Sequence, residues 1–403
     1  MKIENVELSE IIDQVGTPVY IYSKKKLTEQ FLAFKKACEP LKSATICFAV
    51  KSNSNPAVIR TLANLGAGAD IVSVNELKLA VMSDILPQDI VYSGVGKTKE
   101  ELLSTIVMGI KQINVESEAE LETVASIANT LHRKTQVGIR INPNIDAKTH
   151  AKITTGLTEN KFGIDFSVAK ELFLKYANDE FVDLSGIEVH VGSQILTMDP
   201  FIEMFHKVKA MLEELAFQGT KIKTIDFGGG IGVPYRESDP ELSPADYVQH
   251  LISILGNDYD YVFEPGRFIS GNAGILATSV IRTKKAGTKQ FAIVDAAMND
   301  LMRPALYDAY HHIVADKEGE LTEKYDIAGP VCESSDVFGT DRLLPKLEAD
   351  DVLVIQTAGA YGSVMGSTYN FRPMAPEVLV DGKKFKVVRK RQSFDEMMSV
   401  YPV

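Results

Sequence analysis

Short apolar runs rich in strand formers recur along the first two thirds of the chain, each ending in Gly, Ser, Asn, Pro or a charged residue. They are TICFAVK (45–51), DIVS (70–73), DIVYSG (89–94), QINVES (112–117), QVGIRINP (136–143), GIEVHVGS (186–193), TIDFGGG (224–230) and YVFEPGR (261–267). Between them the apolar residues recur at helical spacing, as in NPAVIRTLANLG, SEAELETVASIANTLHRK and DPFIEMFHKVKAMLEELAFQG, the last closing on a glycine as helix C-termini often do. Eight strand candidates alternating with helices over about 220 residues match the size and order of a (β/α)8 TIM barrel, an α/β fold. A doubly wound sheet is the rival. Its sign would be an early glycine fingerprint, whereas GGGIG comes in the seventh candidate and fails the GxGxxG spacing.

After Arg267 the pattern changes to strand-rich segments without long helices, among them GILATSVIRTKK, KQFAIVDAAM and DDVLVIQTAGAYG. EVLVDGKKFKVVRKRQ carries Asp381-Gly382 between alternating runs, a hairpin signal. The C-terminal third therefore reads as a separate β-rich domain, sandwich-like or Greek-key-like. The early run TPVYIYS has no place among the eight strands and is assigned to that domain. The expected division is an N-terminal segment 1–25 packing with the β domain, a barrel 26–270 and a β domain 271–403.

Composition narrows the function classes. The chain has 403 residues, 45% of them hydrophobic, and no apolar run near the roughly 20 residues of a membrane span. The N-terminus lacks a basic start followed by an apolar block, so no signal peptide is expected. The three cysteines, Cys38, Cys47 and Cys332, are far apart and form no CxxC pair, which favours a reducing cytoplasm and no zinc site. A net charge of −11 with mixed signs argues against nucleic-acid or anionic-membrane surfaces. Any anionic ligand then needs a local basic cluster.

In such a barrel the strand C-termini converge on one face. Lys51, Asn142, His190, Ser193, Gly228 to Gly230, Glu264 and Arg267 all fall at such ends. A partly buried lysine loses hydration and becomes an amine nucleophile able to form a Schiff base, although an isolated lysine there also reads as a snorkelling side chain. The DFGGG glycines let backbone N–H groups approach a phosphate, or simply make a tight turn. Glu264 needs a cation, which a pyridinium nitrogen or Arg267 can supply. His190 can stack on an aromatic ring, or be a satisfied core residue, and no HExxH spacing argues for a metal. Pyridoxal 5'-phosphate explains a lysine, a phosphate nest, a buried carboxylate and a stacking ring together.

The stretches FAVKSNSNP, TTGLTENKFGI, HVGSQI, DFGGGIG, FEPGRFIS, MNDLMRPALYDAYH, GPVCESSD and GAYG resemble, in order and spacing, the meso-diaminopimelate decarboxylases of the fold-type III, alanine-racemase-like pyridoxal enzymes. The resemblance covers residues 15–395. It implies that Lys51 holds the cofactor as a Schiff base, that His190 stacks on its ring and that Glu264 pairs with its pyridinium. It further implies that Ser193, Gly230, Gly266 and Arg267 of the EPGR turn hold the phosphate region, with Tyr361 nearby. Arg267, Arg303, Tyr307, Glu333 and Tyr361 match substrate contacts, and Cys332 matches a proton donor that enters from the partner of a homodimer. One departure is DIVSVNELKLA, where Val74 and Asn75 replace two glycines usual in the family.

The implied reaction removes one carboxylate of meso-2,6-diaminopimelate as CO2 and leaves L-lysine, the last step of lysine biosynthesis. Two arginines suit a substrate with a distal carboxylate, and Glu333 suits its amine. Ornithine, arginine or carboxynorspermidine decarboxylases and alanine racemase are alternatives of the same fold, the racemase being disfavoured by MRPALY and CESSD. A non-catalytic pyridoxal-binding or regulatory protein is the alternative of another class. The pair His311-His312 is expected on a helix, as structural or surface residues.

Overall fold

All eight apolar runs become parallel strands: Ala44–Ala49, Gly68–Ile71, Ile90–Tyr92, Gln112–Val115, Thr135–Arg140, Val182–Glu188, Thr224–Asp226 and Asp260–Phe263. Each pairs with its neighbours in sequence, and the eighth pairs with the first in the register Tyr261 to Ala44 and Phe263 to Ile46, which closes the barrel. This computed structural model describes residues 1–145 and 161–402. They divide into two compact units, one of Gln30–Val233 and Pro240–Gly266, the other of Met1–Glu29, Pro234–Asp239 and Arg267–Val403.

Helices between the barrel strands start where the sequence supplies caps. The side chains of Asn55, Ser73, Thr98, Ser117, Asp165 and Ser243 each accept a backbone N–H at a helix N-terminus, and Thr98 with Glu101 completes a capping box. Helices Asp199–Phe217 and Pro244–Leu255 cover the seventh and eighth strands through an aromatic cluster. Phe205 meets Phe227 edge-on at 5.3 Å between centroids and Tyr247 at 5.2 Å. Such pairs add about 0.5–1.5 kcal/mol each beyond the area they bury.

The barrel also buries a polar strand of contacts. Gln112 Nε2 donates to Asn114 Oδ1 at 2.7 Å, and Gln136 Nε2 donates to Gln112 Oε1 at 3.2 Å and to Thr224 Oγ1 at 3.0 Å. Gly138 and Gly186 make room for it, because a Cβ on either would come within 2.6 Å of the Gln112 amide. An alanine at either position would force that amide out of its hydrogen bonds.

In the other unit, strand Val19–Ser23 lies between Gly274–Ala286, antiparallel to it, and Glu377–Asp381, parallel to it. The early apolar run thus joins the β-rich unit, as its pattern suggested. The long strand Gly274–Ala286 serves two sheets: Gly274 to Ser279 pairs with Val19–Ser23 and Val352–Ile355, while Val280 to Ala286 pairs with Lys289–Val294. Beyond it come Glu323–Ala328 and Val337–Leu344. Glu377–Asp381 and Lys384–Arg389 form the expected hairpin, with Gly382 at φ +64°. Ile11, Val19, Ile21, Ala277, Val354, Val378 and Val380 fill its core.

Two local expectations need correction. Lys51 is not the last residue of its strand, which stops at Ala49; it lies in a 3-10 turn, Val50–Ser52. His311 and His312 are not on a helix, because helix Arg303–Tyr307 ends with Asp308 at φ +52° and the chain then runs to strand Ile313–Ala315. Residues 154–160 of the TTGLTENKFGI stretch lie outside the described residues. Among those described, no helix is long and apolar enough to cross a membrane.

Candidate active site

The turn that carries Lys51 is fixed by its own polar residues. Ser52 Oγ donates back to the Ala49 carbonyl at 2.8 Å, Asn55 N donates to Asn53 Oδ1 at 3.0 Å, and Asn55 Oδ1 caps the next helix by accepting from Ala57 N at 2.9 Å. Pro56 at the first helical position leaves no orphan N–H there. This turn holds the ammonium over the barrel, where Lys51 forms an ion pair with Asp70, a fully buried carboxylate at the end of the second strand. The Lys51 side chain is 38% exposed while that of its counter-ion Asp70 is fully buried.

Around that pair the barrel concentrates buried acids: Asp70, Glu116, Glu188, Asp226 and Glu264. Arg140 answers two of them, with Nη1 3.1 Å from Glu116 Oε1 and 3.6 Å from Glu188 Oε1. Burial, with Asp226, Asp70 and Glu188 adding to it, pushes the Glu264 carboxyl far above its ordinary range. Burial likewise raises Asp226, which hydrogen-bonds Glu264. Glu188 is pushed up to about 8, again by burial first, with Arg140 opposing. Two adjacent buried carboxyls cannot both ionise cheaply, so the charge of Asp226 adds to burial in raising Glu264. Ser93 Oγ donates to Glu264 Oε1 at 3.3 Å, while Asn114 Nδ2 donates to Ser93 Oγ at 3.1 Å and to Asp226 Oδ2 at 3.0 Å.

The seventh strand ends in the glycine turn. Gly228 N donates to Asp226 Oδ1 at 2.9 Å, and Gly228 has φ +59°. A Cβ there would meet the His190 ring at 2.6 Å, and one on Gly230 would meet the Gly192 carbonyl at 2.9 Å. His190 therefore lies against the glycine turn, half-buried, and burial together with the charges of Arg140 and Lys51 holds its imidazole neutral far below the usual range. Ser193 is half-buried on the loop after it. Gly266 packs against Ala49 and Ser52, where a Cβ would come within 3.0 Å of each, so the EPGR turn backs the turn of Lys51.

The remaining expected residues lie in the β-rich unit, Arg267 among them as the first residue of the short helix Arg267–Ser270. Arg267 Nη1 and Arg303 Nη1 donate to one oxygen, Tyr235 Oη, at 2.8 and 2.5 Å. Arg267 and Arg303 are each 6% exposed. The Tyr361 ring lies 4.7 Å from the Arg267 guanidinium, and Tyr307, half-buried at the end of helix Arg303–Tyr307, is within electrostatic range of it. Cys332 and Glu333 are on an exposed loop. Asp336 ties the loop down by accepting from Val331 N and Met298 N at 2.7 Å each, and Glu333 accepts from the Tyr369 and Ser335 hydroxyls.

Val74 and Asn75 form the first turn of helix Val74–Met82, with Val74 N donating to Glu101 Oε1 at 3.1 Å and Asn75 exposed. The departure from glycine thus falls at a capped helix start. The next residue, Glu76, accepts from Val72 N at 2.7 Å and is pushed up to about 7 by burial, within range of Asp70 and Lys51.

The donors present fit pyridoxal 5'-phosphate. An accessible amine, a carboxyl pair short of cations, a side-chain-free turn and a neutral imidazole are its four requirements, and the acid excess beside Glu264 is what a protonated ring nitrogen would offset. The family description "Pyridoxal-dependent decarboxylase, pyridoxal binding domain" matches residues 24–271. A diaminopimelate decarboxylase of Aquifex aeolicus is 44% identical over 98% of this chain and 93% of its own length. The chain belongs to the diaminopimelate decarboxylases, within the pyridoxal-dependent decarboxylases. The crystal structure of the Helicobacter pylori diaminopimelate decarboxylase complexed with L-lysine superposes with a TM-score of 0.94, at 42% identity, covering 98% of this chain and 99% of that one. A lysine/ornithine decarboxylase from Vibrio vulnificus complexed with putrescine shares the fold at a TM-score of 0.80 and 23% identity, over 94% of this chain and 99% of that one.

Several members of this decarboxylase's polar network escaped the sequence reading: Asp70, Ser93, Asn114, Arg140, Glu188, Asp226 and Tyr235. Most carried a usable signal. Each of the barrel residues is a polar side chain inside or at the end of an apolar strand, and buried polar groups in such runs need partners. Tyr235 carried none, because it lies in a loop where a tyrosine is unremarkable.

Proposed function

We propose that this chain decarboxylates meso-2,6-diaminopimelate to L-lysine and CO2 with pyridoxal 5'-phosphate. The observation that carries the reading is that one chain holds both a partly exposed lysine beside a buried, acid-rich carboxyl pair in its barrel unit and, in its β-rich unit, two buried arginines on one phenol oxygen. The barrel, expected over residues 26–270, serves as the cofactor-binding domain, and the β-rich remainder, expected at 1–25 and 271–403, also takes in Pro234–Asp239 and Arg267.

When bound, pyridoxal phosphate supplies the electron-accepting ring that takes up the pair left by departing CO2. Lys51 would hold it through its amine, which Asp70 steers. Glu264 would accept the ring N–H and keep that nitrogen protonated, with Asp226 and Ser93 orienting its carboxyl. His190, kept neutral by burial, would face the ring without adding charge. Gly230, Ser193, Gly266 and Arg267 offer donors or a close backbone to the phosphate region, with Tyr361 beside Arg267. Arg267 and Arg303 read the carboxylate at the end that does not react, helped by Tyr307 and Tyr361. Glu333 takes the distal amine, and Cys332 delivers the proton to Cα. An exposed Cys332 and Glu333 in one chain suit a cytoplasmic homodimer in which each copy completes the other's site.

The test is lysine release, followed by mass spectrometry, from purified protein with pyridoxal phosphate and meso-diaminopimelate, with ornithine, arginine and carboxynorspermidine in parallel. Lysine from diaminopimelate alone, abolished in Lys51→Ala, is expected. Product from one of the other three instead would reassign the substrate.

A further inference from the structure

A phenol oxygen has two acceptor positions, and in Tyr235 both are taken by charged donors, Arg267 Nη1 at 2.8 Å and Arg303 Nη1 at 2.5 Å. Without that oxygen the two buried guanidiniums would face each other as like charges, and the charge of Arg267 already lowers Arg303. Arg303 Nε, also buried, makes no hydrogen bond among the described residues, so this guanidinium keeps a donor in reserve.

Tyr235 itself is held rigidly. Its own N–H and that of Arg236 both donate to Asp239 Oδ2 at 2.9 Å, which fixes the loop. The His311 ring packs edge-on against it at 5.2 Å, and His311 Nδ1 donates to the Gln356 carbonyl at 2.9 Å, which locks that imidazole in turn. The Arg303 guanidinium also lies 4.9 Å from the centre of the Tyr235 ring. Burial opposes ionisation of the phenol, yet Arg267 and Arg303 draw it below its ordinary range, so the two guanidiniums favour negative charge on this oxygen.

We infer that Tyr235 is a positioning residue for substrate selection: its oxygen clamps Arg267 and Arg303 into one unit that receives a carboxylate remote from the reacting carbon. The inference rests on the reading of these two arginines as distal-carboxylate contacts. It assigns to a loop tyrosine a share of the discrimination between diamino acids with two carboxylates and diamines.

L-Lysine keeps the distal carboxylate and cadaverine lacks it, so isothermal titration of the pyridoxal-loaded protein with each isolates the effect. The wild-type protein is expected to prefer lysine by about 100-fold or more. Tyr235→Phe is expected to cut that preference by about tenfold while cadaverine affinity holds, and to raise KM for diaminopimelate by a similar factor with kcat within about twofold. Should the phenylalanine variant not fold, Tyr235→His carries the same comparison, since its single ring acceptor cannot serve both arginines. Full preference retained in either variant, or equal loss of lysine and cadaverine affinity, would overturn the role of Tyr235 alone. A wild-type protein that does not prefer lysine would overturn the arginine reading as well.

Discussion

Two buried clusters, one in the barrel unit and one in the β-rich unit, carry opposite charge. In the barrel, Asp70, Glu188, Asp226 and Glu264 outnumber the cations Lys51 and Arg140 near them, and burial raises both Glu264 and Asp226. In the β-rich unit, two guanidiniums converge on a single phenol oxygen. Buried imbalance of either sign costs stability, and a chain keeps it where a ligand of the opposite sign offsets it. On the proposed reading, one cluster is thereby prepared for a cationic ring nitrogen and the other for a carboxylate.

The comparison breaks most visibly at Lys51. Lys51→Ala should lower turnover by at least about 10³-fold and abolish the absorbance of the lysine-bound cofactor, read by ultraviolet-visible spectroscopy. Loss of turnover with the absorbance intact would move the attachment point elsewhere. At the opposite pole, Arg303→Ala should lower kcat/KM for diaminopimelate by about 10²–10³-fold with the cofactor spectrum unchanged, as truncation of one buried charged contact to a ligand does. A change in the spectrum would mean the two charge clusters do not have separate ligands.

Cys332→Ala sharpens the comparison from a third side, because Cys332 is exposed in a single chain. Turnover should fall by about 10²-fold with cofactor absorbance and substrate KM preserved, and unchanged turnover would remove it as proton donor. The smallest effect is on stability. Burial first, and then the Arg303 charge, lower His311 to about 3. Its unfolded imidazole titrates near 6.5, so the unfolded chain binds the extra proton between those values. Stability from this group is complete above about pH 6.5 and is lost at up to about 1.4 kcal/mol per pH unit as the pH falls toward 3. Urea midpoints of wild type and His311→Asn at pH 7 and pH 5 should show the variant less sensitive to acid.

How far each cluster was legible follows from local patterning. The barrel was readable because its eight runs alternate with helices at regular spacing, and Lys51, Glu264 and the glycine turn each broke an apolar run with a residue that needs a reason to be there. The resemblance then supplied Arg303, Cys332 and Glu333, whose surroundings in the sequence look ordinary. Asp70 and Asp226 went unread although they too interrupt apolar runs, because an acid at a strand end acquires meaning only when its partner across the barrel is known. Tyr235 and His311 depend on contacts 68 and 76 residues apart in sequence, which no local periodicity encodes. The short turn at Val50–Ser52 replaced a strand end because Ser52 and Asn53 satisfy their own backbone there.

The opposition of the two clusters is tested most directly with diaminopimelate and its monoamide, in which the distal carboxylate alone is replaced by a neutral group of the same shape. The ratio of kcat/KM between acid and amide, measured in wild type and Arg303→Ala, should fall from about 10²–10³ to less than about ten. The same ratio in both proteins would contradict the assignment of the guanidinium pair to that carboxylate.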